Sequence, residues 1–83
     1  MTLTELKADI TSKLQELEVN SHSTIKSKSV YEKRYNAMTG MIETIDTFLQ
    51  EYQDQSLVEL KNRINHSIRI MELAKMCGVV TEP

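Results

Sequence analysis

Between Tyr31 and Tyr52 the residues Tyr31, Tyr35, Met38, Ile42, Ile45, Leu49 and Tyr52 follow one another at intervals of 4, 3, 4, 3, 4 and 3. This is the a/d repeat of a helix that hides one narrow apolar seam. The spacing predicts a helix over 30–53. A seam needs an opposing surface, so the chain's other amphipathic segments, or a second copy of the protein, must supply it.

Two further segments have the required pattern. Leu3, Leu6, Ile10, Leu14 and Leu17 line one face of a helix over 3–19, opened by a capping box of Thr2 and Glu5. Asp9 and Lys13 add an i,i+4 ion pair on its outer face, worth ~0.3 kcal/mol. Leu57, Leu60, Ile64, Ile68 and Met71 line a third helix over 57–77, which Gly78 closes in a Schellman motif, with Val79 as its apolar partner. Residues 20–29, rich in Ser and Thr, read as a loop, and 79–83 as a tail. A second capping box, Ser29 with Glu32, opens the central helix, and a third, Ser56 with Glu59, opens the last. The apolar phase also slips after Tyr52, which argues for a turn there against one long helix in an oligomeric coil. Gly40 lies inside the central helix, where a close helix crossing would account for it. The fold class is all-α, one domain over 1–83, either a three-helix bundle or a helical hairpin plus a third helix.

Composition narrows the function. With 83 residues, one cysteine (Cys77) and no internal disulfide, the chain buries a modest core in a reducing compartment, read as the cytoplasm. Oligomerisation or a partner protein is the expected reinforcement. No targeting segment or membrane span is read from it. Net charge is −2. It is unevenly laid out: Lys26, Lys28, Lys33 and Arg34 cluster in one block, and Glu43, Asp46, Glu51 and Asp54 in the next. Antiparallel neighbours could pair such blocks; solvated faces of differing sign account for them equally well. The chain has no Gly-rich phosphate loop, HExxH or CxxC motif. His22 and His66 lie on different elements, and Cys77 faces the disfavoured end of a helix dipole. No enzyme activity, metal site, cofactor or small-molecule substrate is expected.

Beside the seam, Val30, Ala37, Met41 and Phe48 form a second apolar stripe on the central helix, and this stripe is the expected partner-binding face, for another protein or for a second copy. Met38, Met41, Met71 and Met76 near the apolar faces suit either an adaptable docking surface or a core filler. The alternative function is a small nucleic-acid-associated or phage-type regulator using the basic 26–35 segment, whose Tyr31 and Tyr35 interleave its cations.

The opening Met1-Thr2-Leu3-Thr4-Glu5-Leu6, a polar loop, and a tyrosine-led helix at Tyr31 with Met41, Ile42, Ile45 and Phe48 behind it resemble the small helical-hairpin co-chaperones of type III secretion needle subunits. The resemblance covers residues 1–52 and leaves the third helix outside it. It implies a cytoplasmic protein that, with a larger helical-repeat chaperone, keeps a needle subunit from polymerising.

Overall fold

Each helix starts where a side chain satisfies its first orphaned amides. In the computed structural model, which describes residues 2–19 and 25–83, these are α1 (Leu3–Leu17), α2 (Lys28–Leu49) and α3 (Gln55–Met76). The Thr2 hydroxyl accepts from the Glu5 amide at 3.2 Å, as the sequence predicts. The other two caps differ. Ser27, not Ser29, caps α2 by accepting from the Val30 amide, so the helix begins at Lys28 instead of 30. Asp54, not Ser56, caps α3 by accepting from the Leu57 amide at 3.2 Å, so that helix begins at Gln55 instead of 57. Aspartate is as good a cap as serine, and here it gains a cation besides.

The break between α2 and α3 is present, without glycine or proline, and earlier than the expected 53. The Glu51 and Tyr52 amides both turn back to the Phe48 carbonyl, at 3.1 and 2.9 Å, and tighten the last turn. At the far end of α3 both backbone hydrogen bonds of the Schellman motif are present. Gly78 takes φ +77°, the Val79 amide donates to the Ala74 carbonyl at 2.9 Å, and the Gly78 amide to Lys75 at 3.1 Å.

The three helices form an up-down-up bundle. Lys7 meets Asp54 at 3.0 Å and Arg63 meets Glu18 at 3.1 Å, so α1 runs parallel to α3. Lys61 meets Asp46 at 2.6 Å, and Lys75 stands over Tyr31, so α2 runs antiparallel to both. Between them lies one core, to which α1 gives Leu6, Ile10 and Leu14, α2 gives Met38, Met41 and Ile45, and α3 gives Leu57, Leu60, Ile64 and Met71. Among the described residues every buried side-chain nitrogen and oxygen has a hydrogen-bond partner. The buried Ser67 is the clearest case, its hydroxyl accepting from the Val19 amide at 3.2 Å and tying the end of α1 to the middle of α3.

Lengths do not match, and the mismatch shapes one end of the molecule. At 1.5 Å per residue α1 spans ~22 Å against ~33 Å for α2 and α3. Where α1 stops, two residues after it and before α2 take over: Val19 and Ile25 are buried in the same core. The expected loop 20–29 is therefore not polar throughout, since Ile25 is fully buried; its residues 20–24 lie outside the described part. The expected tail is not free either. Residues 81–83 pair with 26–29, the Thr81 and Glu82 amides donating to the Lys26 carbonyl at 3.0 and 2.9 Å, while the Lys28 amide donates to Glu82 at 2.6 Å.

Candidate protein-binding groove

At the end of the bundle beyond α1, the exposed Val30 and Met76 leave apolar surface uncovered. The first half of α2 and the last half of α3 leave a groove of about 410 Å³ between them, walled by Tyr31, Tyr35 and Asn36 on one side and Glu72, Lys75 and Met76 on the other. Tyr31 is its floor. One turn of helix separates it from Tyr35, and the two rings stack at 5.7 Å with 13° between their planes. The Lys75 ammonium lies 5.4 Å from the Tyr31 centroid, within cation–π reach. Burial, followed by Tyr35 and Glu72, pushes the Tyr31 hydroxyl above its ordinary value of 10.0.

Met76 is 80 % exposed at the lip of this groove. Met38, Met41 and Met71 are core residues, so the four methionines among the described residues divide into three fillers and one flexible thioether in solvent. Val30, 41 % exposed, lies at the same end of the molecule.

The expected stripe of Val30, Ala37, Met41 and Phe48 is not one free face. Met41 is buried at 8 % exposure, because α1 packs along that side of α2. Ala37 is exposed at the edge of the α1–α2 cleft, which Leu6, Ile10, Gly40 and Thr44 also line. Phe48 is half-buried against the core and stacks on Tyr52 at 6.0 Å. Only Val30 and Ala37 remain open to solvent. Gly40 has no close crossing to explain it: a Cβ there would meet nothing within 4 Å. The seam likewise narrows. Tyr31, Met38 and Ile45 are buried, Tyr35, Ile42 and Leu49 are half-buried, and Tyr52, beyond the end of α2, is 47 % exposed.

Of the basic segment, Lys26, Lys28 and Lys33 are exposed, but Arg34 reaches back to the Leu17 carbonyl at 3.5 Å and Tyr31 is buried under Lys75. The aromatic rings that base stacking would need are already stacked on each other. Cys77 is an exposed free thiol and His66 is exposed, while His22 lies outside the described residues. Among the described residues no three of His, Cys, Asp and Glu converge as a metal site, and no helix is long and apolar enough to cross a membrane.

Glu72 and Lys75 escaped sequence reasoning as groove residues because they fall outside the apolar stripe of the third helix, whereas Met76 is one of the four methionines read as either docking surface or core filler. Their meeting with Tyr31 depends on how α2 and α3 pair. No protein-family model, curated protein or solved structure matches the chain.

Proposed function

We propose that this chain is a small, non-enzymatic protein-interaction module of chaperone or adaptor type, and that a partner protein docks in the α2–α3 groove. The observation that carries this reading is Met76, 80 % exposed beside the stacked Tyr31 and Tyr35. Holding a large apolar side chain in water at the lip of an aromatic groove has no benefit to the isolated fold, whereas covering it on binding recovers ~1.5–3 kcal/mol. Aromatic floors with a cation nearby are also the usual anchors of protein interfaces. The exposed thiol of Cys77 fits a reducing, cytoplasmic setting.

The resemblance to needle-subunit co-chaperones gives this reading a concrete form, with a helical-repeat chaperone and an aggregation-prone subunit as partners. It extends only through residue 52, whereas α3 contributes as much to the core as α2 and forms half of the groove. The general adaptor reading therefore stands apart from that particular assignment.

Affinity capture with the intact chain, followed by mass spectrometry, tests the proposal against Met76→Lys and Tyr35→Ala. A partner retained by the native protein and lost by both variants, with binding little changed by added salt, supports groove docking. Steep loss of binding with salt indicates counterion release and would move the function to nucleic acid.

A further inference from the structure

We infer that residues 26–29 form a docking edge for an extended peptide of a partner protein that carries an apolar residue near its start, and that the chain's own 79–83 segment occupies this edge as an internal stand-in. The inference deepens the interaction reading above and takes its biological sense from it. Its geometry rests on a separate set of contacts.

Gly78, at φ +77°, turns the chain out of α3 and lays the following residues alongside the approach to α2. Ser27 and Glu82 form a parallel bridge. The Lys26 carbonyl accepts from Thr81 and Glu82, the Lys28 amide donates to Glu82, and the Ser29 amide donates to Pro83 at 3.1 Å. The Ser27 hydroxyl also donates to the Pro83 carbonyl at 3.1 Å. The seated segment takes part in all of these through its main chain alone, so any extended peptide could replace it, which is the logic of strand addition.

Selectivity comes from one side chain. Val80 is half-buried and packs against the core, and the depression it walls shares Tyr31, Glu32 and Lys75 with the groove beside Met76. Lifting Val80 away therefore opens the depression that borders the groove. Tethering gives the internal segment a high effective concentration, so an incoming peptide must displace it and the edge is self-blocked at rest.

The probe is the acetylated pentapeptide Val-Val-Thr-Glu-Pro, added to the full-length chain and to full-length Val80→Asp, with backbone amides followed by NMR. The expected result is that the peptide shifts the amides of Lys26 to Tyr31 in both, with affinity about tenfold higher for the variant, whose own segment is loosened. A variant that keeps its core protected yet shows no shifts at those amides overturns the inference. Should Val80→Asp lose its fold, hydrogen exchange of the native chain decides instead. Faster exchange at Lys28, Ser29, Thr81 and Glu82 than at Ile45 and Ile64 supports a separable segment, and equal exchange makes it part of the core and refutes the edge. A concentration-dependent dimer abolished by Val80→Asp would assign the edge to the segment of a second copy, against a partner peptide. Failure of the broader reading shows elsewhere, as partner binding insensitive to Met76→Lys while the pentapeptide still shifts Lys26 to Tyr31.

Discussion

Ser67 has a burial that its residue type does not advertise. Its hydroxyl is the partner of the Val19 amide just past the end of α1, in surroundings closed to water. Ser67→Ala should cost ~1–3 kcal/mol, the penalty of an unpaired buried amide, and urea denaturation would measure it. Unchanged stability would mean that the amide finds water or another acceptor. Asp54 makes a different kind of contribution, joining two helices through one carboxylate. The Lys7 ammonium, with help from the Leu57 and Ser56 amides, holds its carboxyl below the ordinary value of 3.8. A depressed value means that this contribution is present in full above about pH 4, the unfolded carboxyl's range, and is lost as pH falls through the lower folded value. Asp54→Asn keeps a capping side chain but removes the titration, so its stability should fall less between pH 5 and pH 3 than that of the native chain, as followed by circular dichroism; equal slopes would show that Asp54 is not the group responsible. Asp54→Ala should be weaker at every pH.

At the scale of the helix, the two glycines predict opposite responses to the same substitution. Gly40 is an exposed mid-helix residue with open space where a Cβ would go, so Gly40→Ala should stabilise α2 by ~0.5–1 kcal/mol. Gly78 also has open space, but its left-handed backbone disfavours any side chain, so Gly78→Ala should destabilise by ~1 kcal/mol. Thermal melts of the two variants check the pair. Should Gly78→Ala melt with the native chain, the Schellman turn contributes nothing to stability. The start of α2 belongs to the same scale. It begins at Lys28 because the Lys28 and Ser29 amides find acceptors on Glu82 and Pro83, more than fifty residues away along the chain. A local rule cannot see such partners, which is why Ser29 looks the better cap in the sequence.

For the molecule as a whole, the difference between core and surface methionine sets the clearest expectation. Met41→Lys would place an ammonium in the core beneath α1, and should unfold the chain or lower its stability by several kcal/mol, ~3 or more. Met76→Lys should leave the melting temperature unchanged, because that side chain stands in solvent. A native-like melt for Met41→Lys would detach α1 from α2 and remove the basis of the bundle. The same packing decides why the stripe of Val30, Ala37, Met41 and Phe48 is not an open binding face, since α1 lies against its middle. Three interhelical ion pairs, Lys7–Asp54, Lys61–Asp46 and Arg63–Glu18, follow from the up-down-up order; the last two join oppositely charged stretches of the chain, whereas Lys7 and Asp54 both lie in acidic ones.

Helix number, the faces of Leu6, Ile10, Leu14, Ile45, Leu57 and Ile64, the Thr2 cap and the Gly78 stop were all legible in the sequence. Each depends on residues within about one or two turns of one another, and period and capping are local properties. The burial of Ile25 inside a polar stretch, the Ser67–Val19 bond, the pairing of 81–83 with 26–29, and the meeting of Tyr31 with Lys75 were decided by the tertiary structure alone. They arise because a 15-residue α1 packs beside two 22-residue helices, and the uncovered end must be closed by whatever chain lies nearest in space. That proximity is set by how all three helices pair, and no single stretch of sequence contains it.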